Sequence, residues 1–266
     1  MEIIKTIILG IIQGITEFIP VSSSGHLALG QYFFNMGENS LVMEAVLHLA
    51  TGIAVVIVFW KDIIWLITDS FSPDIQKRNE ALKYNGWIIL GSIPAAIVGL
   101  QFKDFFVDLF RTPQITSVML IVTSLFLFFS YKRDNPDGKL TALKVIAIGI
   151  IQAFAIMPGI SRSGSTIAIA LLVGVSRKES GRFSFLLSLP AVFGVAILEA
   201  RHISTTSFSI SALIMGFIVS LIVGILSLKL LLNFIKNGKL YFFGYYCAAV
   251  GVISLIVITF FRNGSV

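Results

Sequence analysis

Long apolar segments, separated by short polar stretches, make up most of this chain. A helix needs about 20 residues to cross a bilayer, and six of the segments can span it: 41–60, 86–101, 113–131, 183–200, 208–232 and 240–261. The segments 27–34 and 165–175 are too short, and each follows a Ser- and Gly-rich loop after the segment 3–19 or 143–157. We therefore predict an all-α integral membrane protein with two re-entrant helix-loop-helix hairpins and about six transmembrane helices. The apolar segments are 3–19, 27–34, 41–60, 86–101, 113–131, 143–157, 165–175, 183–200, 208–232 and 240–261.

The polar loops of the two hairpins are copies of one pattern. Residues 10–25 read GIIQGITEFIPVSSSG, and residues 149–164 read GIIQAFAIMPGISRSG. An offset of 139 residues aligns Ser22 with Ser161, and it also aligns the flanking glycines and glutamines. Two polar loops at corresponding positions in a membrane protein indicate one site built from both halves.

A second pair of similar segments supports a duplication within the sequence. LGSIPAAIVGL at 90–100 resembles MGFIVSLIVGI at 215–225. Three predicted spans lie between the hairpins and three follow the second one, and this odd number turns the second half upside down relative to the first. We predict two inverted repeats in one membrane domain, each with a hairpin and three spans. The first is 1–135 with hairpin 1–36, and the second is 136–266 with hairpin 143–176.

The composition agrees with a membrane protein and excludes several other classes. Hydrophobic residues make up 56% of the chain and charged residues 13%, whereas soluble domains have about 45–50% and about 25%. The period-two alternation of an outer-membrane barrel is not seen. The single cysteine, Cys247, excludes a disulfide framework and a cysteine-rich metal site. Glu17 and Pro20 interrupt the first apolar segment, so we expect it to belong to the mature protein rather than to a signal peptide.

Lysine and arginine are unevenly distributed between the two sides of the predicted membrane domain. The loops 61–85, 132–144, 176–182 and 233–239 hold thirteen of them, and the other side holds five. Because cytoplasmic loops carry the excess of positive charge, this count predicts that both termini lie outside. It also accounts for the net charge of +6 without a nucleic-acid partner.

The first polar loop carries groups that can bind a cation or move protons. Gln13 and Glu17 are four residues apart, so they lie on one face of a helix. Pro20 ends that helix, and residues 21–25 are predicted to form a hydroxyl-rich turn before His26. Ionisable groups at membrane depth indicate function by default. We predict that Glu17 has a functional role and that His26 is a general base, nucleophile or ligand.

A second pair of an acid and an imidazole, Glu44 and His48, lies one helical turn apart in the segment 41–60. Fewer polar groups accompany this pair. We interpret it as a structural polar contact.

The second polar loop is predicted to bind an anion. Pro158 and Gly159 end one helix, and residues 161–166, SRSGST, open the next. Free N–H groups at a helix N-terminus favour phosphate, and Arg162 adds a planar fork that can hold two phosphate oxygens. Both loops together suit a phosphate or diphosphate, with a divalent cation to neutralise its oxygens. An apolar tail on this ligand would explain a site within the membrane.

These motifs resemble those of a known family. Gln13-x-x-x-Glu17 followed by PVSSSGH, PGISRSGST at 158–166 and FSFLLSLP at 183–190 are similar to the undecaprenyl-pyrophosphate phosphatases of the bacitracin-resistance type. The resemblance covers the chain from end to end. It implies hydrolysis of undecaprenyl (C55-isoprenyl) diphosphate to undecaprenyl phosphate and inorganic phosphate. This reaction recycles the lipid carrier for peptidoglycan and other cell-wall glycans at the outer face of the bacterial plasma membrane, and it confers bacitracin resistance when the enzyme is abundant.

The resemblance also implies a divalent cation, Mg²⁺ or Ca²⁺, and a role for each matching residue. Glu17 and Gln13 would bind or orient the cation, Ser23 and His26 would serve in attack, and Arg162 would hold the diphosphate. Many family members have Glu where this chain has Gln13, and a neutral amide is a weaker ligand for a hard cation. The other residues expected at the diphosphate are Ser22, Ser24, Ser161, Ser163, Gly164 and Thr166.

Alternatives remain open at this point. Ser23, activated by His26 or Glu17, can attack the terminal phosphoryl group, or a water activated by His26 can attack it directly. The same site could bind a polyprenyl phosphate for transport, because inverted repeats with broken helices are typical of transporters and flippases. The predicted partners are the membrane and a polyprenyl diphosphate, with no nucleic acid and with a homodimer left open. We expect the site to open on the outer face.

Overall fold

The protein is built from helices, in agreement with the prediction of an all-α fold. The computed structural model describes residues 2–34, 41–110, 112–130, 137–199 and 208–262. In these ranges β-structure is limited to one isolated parallel bridge between Gly138 and Val175. A short π-helix, Val257–Arg262, follows the last α-helix. The α-helices are α1 (Glu2–Thr16), α2 (Ser23–Phe34), α3 (Leu41–Val58), α4 (Trp60–Asp69), α5 (Ile75–Gln101), α6 (Lys103–Phe110), α7 (Pro113–Ser130), α8 (Ala142–Phe154), α9 (Arg162–Leu172), α10 (Arg177–Glu199), α11 (Ile210–Lys236) and α12 (Tyr241–Ile256).

Several of these helices are long and apolar enough to cross a membrane. Five qualify among the described residues, and α3 with α4 gives a sixth if the pair is one span bent by 73°. This number confirms the prediction of about six spans. By contrast α1, α2, α8 and α9 have 15, 12, 13 and 11 residues, too few to cross unaided. The single spans are α5, α7, α10, α11 and α12.

The prediction that residues 61–85 and 176–182 are loops was wrong. The structure has α4 and the first part of α5 in the former range and the start of α10 in the latter. The side chain of Asp74 accepts hydrogen bonds from the backbone N–H groups of Gln76 (2.9 Å) and Lys77 (3.3 Å), which caps α5 well before its apolar part begins. Hydropathy detects the membrane-embedded part of a helix, and these helices continue beyond it as polar extensions. Residues 132–136, which belong to another predicted loop, lie outside the described residues.

Helices of the two halves pack on each other in corresponding pairs. The first helix of the first hairpin, α1, packs on α11, and the first helix of the second hairpin, α8, packs on α5. Likewise α3 packs on α11 and α10 packs on α5, while α3 with α10 and α7 with α12 pair across the middle. Such reciprocal packing, in which equivalent helices of each half contact equivalent helices of the other, is expected of two repeats. The division at residue 135 and the inversion relative to the membrane stay predictions.

Close contacts between glycines join the two pairs of similar segments, 10–25 with 149–164 and 90–100 with 215–225. A Cβ atom on Gly10 of α1 would lie 2.8 Å from the carbonyl oxygen of Gly216 in α11. A Cβ atom on Gly149 of α8 would lie 2.6 Å from the carbonyl oxygen of Gly91 in α5. Small residues let helix backbones approach in this way inside membranes. Each hairpin therefore packs through a glycine of its repeated loop pattern, Gly10 or Gly149, onto a glycine of a long helix, Gly216 or Gly91.

Candidate active site

The tips of the two hairpins meet each other. A Cβ atom on Gly25 would lie 3.0 Å from the Cα atom of Gly159, and one on Gly164 would lie 2.9 Å from Cβ of Pro20. The hydroxyl of Ser22 donates a hydrogen bond to the carbonyl of Ile160 at 3.4 Å. The two polar loops thus form one continuous cluster, as their repeated pattern indicates.

Equivalent serines cap the second helix of each hairpin. Oγ of Ser22 accepts a hydrogen bond from the backbone N–H of Gly25, and Oγ of Ser161 accepts one from the backbone N–H of Gly164, both at 3.1 Å. Ser22 has a positive φ of 70°, which is rare for a residue other than glycine. The caps start α2 and α9 at the two hairpin tips, which contact each other, and the first N–H groups of a helix lack partners within it.

The prediction of a turn over residues 21–25 was wrong at its C-terminal end. Ser23 is the first residue of α2, and His26 belongs to the first turn of that helix. Serine is a weak helix former in helix interiors but is favoured at helix starts, because its hydroxyl bonds the free N–H groups. By the offset of 139, Ser23 in α2 corresponds to Arg162 in α9, and both are first residues of their helices.

Glu17 is the centre of the cluster. Its side chain is buried, and it receives donors from both hairpins. Oε1 pairs with Nη2 of Arg162. Oε2 accepts hydrogen bonds from Oγ of Ser23 at 2.6 Å and from Nε2 of Gln13 at 3.2 Å. The structure therefore brings together Gln13, Glu17, Ser23 and Arg162, as predicted.

Among the described residues, two buried polar atoms of this cluster have no hydrogen-bond partner. They are Nη1 of Arg162 and Oε1 of Gln13. Unpartnered buried polar atoms are uncommon in native proteins and call for an explanation. Nη1 of Arg162 can donate to an anion that enters the site, and Oε1 of Gln13 can accept from a donor or contact a cation.

His26 lies apart from this cluster. Its Nδ1 donates to the carbonyl of Ser22 at 2.8 Å, and its Nε2 lies 2.8 Å from the hydroxyl of Tyr246 in α12. The two rings stack with centroids 5.6 Å apart. Within the described residues, no hydrogen bond or ion pair links His26 to Glu17 or Ser23, so the geometry does not place His26 as the base for Ser23. Tyr246 carries no motif that could have indicated this contact from the sequence.

His48 is the residue that sequence reasoning placed outside the site. Its Nε2 lies 3.6 Å from Oε2 of Glu17, which is an ion-pair distance. Its Nδ1 lies 2.8 Å from the backbone carbonyl of Glu44. The interpretation of Glu44 and His48 as a structural pair therefore needs correction, because His48 also faces the central acid. An ionisable side chain within an apolar span was the feature of the sequence that could have indicated a functional role for His48.

Of the remaining predicted binding residues, Ser163 connects the two loops, whereas Thr166 and Ser24 make contacts within their own hairpin. Oγ of Ser163 donates to the carbonyls of Glu17 (3.3 Å) and Phe18 (3.2 Å), and Oγ1 of Thr166 donates to the carbonyl of Arg162 at 2.7 Å. The hydroxyl of Ser24 lies 3.2 Å from that of Ser22. These contacts show that the hydroxyls stabilise the two loops. Their predicted role in holding a diphosphate stays a prediction, as does that of Gly164.

Chemically, the cluster combines three functions within one buried site. Ser23 supplies a hydroxyl whose proton already points at a carboxylate. Glu17 supplies the acceptor for that proton. Arg162 supplies a guanidinium with a free N–H, and the two helix N-termini favour negative charge. This arrangement suits nucleophilic attack on a phosphorus atom that carries anionic oxygens.

Comparison with known families agrees with this chemistry. Residues 6–253 match the family described as bacitracin resistance protein BacA. The chain belongs to this family. A relative from Methanosphaera stadtmanae is 40% identical, and the match covers 97% of this chain and 98% of the relative. A relative from Halothermothrix orenii is 39% identical over 97% and 98% of the two chains, and one from Methanococcus vannielii is 44% identical over 91% and 95%. Each of these relatives is named undecaprenyl-diphosphatase.

Proposed function

We propose that this multi-pass membrane protein is an undecaprenyl-diphosphatase that hydrolyses undecaprenyl diphosphate to undecaprenyl phosphate and inorganic phosphate. Membership of the BacA family and the name shared by its relatives support this activity. The observation that carries the proposal is the bond of 2.6 Å from the Ser23 hydroxyl to Glu17, with Arg162 paired to the same carboxylate. A nucleophile, its base and an anion clamp then act on one diphosphate.

In the first step, Oγ of Ser23 attacks the terminal phosphorus. The O–H bond of Ser23 breaks and its proton passes to Oε2 of Glu17, while an Oγ–P bond forms. The bridging P–O bond breaks, and undecaprenyl phosphate leaves with the bonding electron pair. Arg162 and the two helix N-termini offset the charge on the equatorial oxygens of the phosphoryl group.

In the second step, water attacks the phosphoserine. The P–Oγ bond breaks, and Ser23 regains the proton that Glu17 held. Both hydrogen atoms of the water leave with inorganic phosphate. Glu17 serves as the base in preference to His26, because both ring nitrogens of His26 are engaged by Ser22 and Tyr246.

A divalent cation fits this site only together with the substrate. The described residues contain no group of three or more His, Cys, Asp or Glu side chains able to hold a metal. The unpartnered Oε1 of Gln13 and the carboxylate of Glu17 offer oxygen ligands, and Mg²⁺ often completes such a shell with substrate phosphates. We propose that Gln13 and Glu17 hold the cation. When bound, it would neutralise phosphate oxygens.

Lipid-phosphate transport, the alternative function, has weaker support. Simple carriage of an anion needs no hydroxyl bonded to a base, and the relatives carry an enzyme's name. The proposed orientation, with both termini and the site opening outside, rests on the uneven distribution of lysine and arginine. In right-side-out vesicles, Ser211→Cys should react with an impermeant maleimide and Ser72→Cys should not; the reverse pattern would overturn this orientation.

The activity is tested by phosphate release from undecaprenyl or farnesyl diphosphate by the purified protein in detergent. We expect release with Mg²⁺ or Ca²⁺ and none with EDTA. Glu17→Ala should abolish release because it removes both the base and a cation ligand. Absence of release by well-folded wild type would contradict the proposed activity, and release that EDTA leaves unchanged would contradict the cation alone.

A further inference from the structure

We infer that His48 is a positioning residue of this reaction, acting through Glu17. The inference rests on the proposed function, because it assigns His48 to the base of that reaction. No sequence motif of the two polar loops contains His48, which lies in α3 rather than in either hairpin.

The carboxylate of Glu17 needs to be held by its neighbours. Glu17 follows the last residue of α1 and lies in the tip of the first hairpin. Its side chain is flexible, so its direction is set by the groups that contact the two oxygens. Arg162 occupies Oε1, whereas Gln13, Ser23 and His48 face Oε2. Oε2 is the oxygen that takes the Ser23 proton in the proposed reaction.

A bound diphosphate changes this balance. The phosphate oxygens attract Arg162, whose Nη1 has no partner among the described residues, and they repel the carboxylate of Glu17. Glu17 then loses part of its strongest interaction at the moment when Oε2 must point at Ser23. Gln13 and His48 contact Oε2 without taking part in bond breaking, and they keep this oxygen in place. Contacts in apo enzymes are often longer than those in the reacting complex, which fits the 3.6 Å between His48 and Glu17.

The ring of His48 is itself built into position. A carbonyl oxygen can only accept, so the bond of 2.8 Å to the Glu44 carbonyl fixes the proton of Nδ1 and aims Nε2 at Glu17. The neighbouring residue Leu47 is fixed as well, because its carbonyl accepts from Ser220 of α11 at 3.2 Å. With a proton on Nε2 as well, the ring can donate to Oε2 and join the two side chains. An amide N–H at the position of Nε2 would make the same contact.

Substitutions of His48 that keep or remove this donor test its role. Glutamine can place its amide nitrogen near the position of Nε2, leucine has similar size without a donor, and asparagine is too short to reach Glu17. We expect His48→Leu and His48→Asn to lower kcat about 10- to 100-fold, the effect of one hydrogen bond to a charged group. KM should change less than about threefold, because ground-state binding is not the property lost. His48→Gln should recover kcat to within about threefold of wild type.

Thr51→Val is the matched control, since Thr51 is buried on the same helix and its hydroxyl donates to the backbone carbonyl of His48 at 2.9 Å. Its kcat should stay within about twofold of wild type. Wild-type kcat in His48→Leu would overturn the inference, and so would equal losses in His48→Gln and His48→Leu. A loss in KM rather than kcat would also overturn it. Phosphate release by wild type separates these outcomes from failure of the proposed function, in which wild type itself releases none.

Discussion

The two hairpins share one backbone plan and carry different chemistry. Both have a glycine that docks on a long helix of the other half, and both have a serine that caps the second helix. At the offset of 139, however, Glu17 of the first hairpin corresponds to Ile156 of the second, and Ser23 corresponds to Arg162. The acid and the hydroxyl thus come from one copy and the guanidinium from the other.

This difference distinguishes the positions that build the fold from the positions that carry the proposed chemistry. Positions that set the close approach and the helix caps are the same in both copies, because both hairpins must fold and meet at their tips. Positions proposed to meet the ligand differ, because the proposed reaction needs a nucleophile and base on one side of the diphosphate and a cationic clamp on the other. Neither hairpin holds a complete site.

The glutamines show the same contrast without a change of residue. Gln13 donates to Glu17, whereas both polar side-chain atoms of its counterpart Gln152 are buried without a partner in the part of the chain that the structure describes. Identical residues at corresponding positions therefore have different surroundings, because Ile156 stands where the first hairpin has its acid.

The largest effect is expected from removing the clamp of the second hairpin. Arg162→Ala should lower kcat by at least about 10³-fold, as loss of a transition-state arginine does in phosphoryl transfer. Arg162→Lys should lie between this variant and wild type, because it keeps the charge and loses the fork. Steady-state phosphate release measures both, and an unchanged thermal unfolding profile in detergent shows that they fold. Near-normal turnover of Arg162→Ala would end the assignment of its role.

Removing the hydroxyl of the first hairpin comes next. Ser23→Ala should lower kcat about 10²- to 10⁴-fold, since no nucleophile then faces Glu17. Ser24→Ala is the neighbouring comparison: the hydroxyl of Ser24 contacts Ser22 and not Glu17, and we expect a loss below about tenfold. Equal losses in the two variants would favour attack by water over attack by Ser23.

The smallest effects are expected from the two glutamines. Gln13→Met should lower kcat about tenfold, because it removes one donor to Glu17. Gln152→Met should leave kcat unchanged and raise the unfolding temperature, since it removes buried polar atoms that have no partner. A similar loss of activity in both variants would show that the second hairpin contributes more than its clamp.

The sequence predicted the parts of this site that lie in the two repeated loops. The repeated loops indicated that Glu17 and Arg162 meet, since corresponding elements of a duplicated membrane protein converge on one site. The position of His48 was not predictable in this way. It depends on how α3 packs against α11 and the first hairpin, which no local pattern records. The contact of His26 with Tyr246 joins residues 220 positions apart and is hidden for the same reason.

Helix boundaries were predicted less well than helix number. Apolar length identifies the membrane-embedded part of a span, but α5 begins at Ile75 because Asp74 caps a polar stretch of good helix formers. The run of serines suggested a turn, and the first of them is a cap while the next begins α2. In both cases a capping residue, and not hydrophobicity, decides where the helix starts.

In the proposed reaction, Ser23 and Arg162, from different hairpins, act on one diphosphate in one step. A double-mutant cycle of Ser23→Ala and Arg162→Ala, measured as kcat for phosphate release, tests this joint action most directly. Residues that act as a unit are strongly non-additive, so the double variant should be about as slow as the slower single variant. A double variant whose loss equals the product of the two single losses would show that the hairpins act independently and would contradict this account.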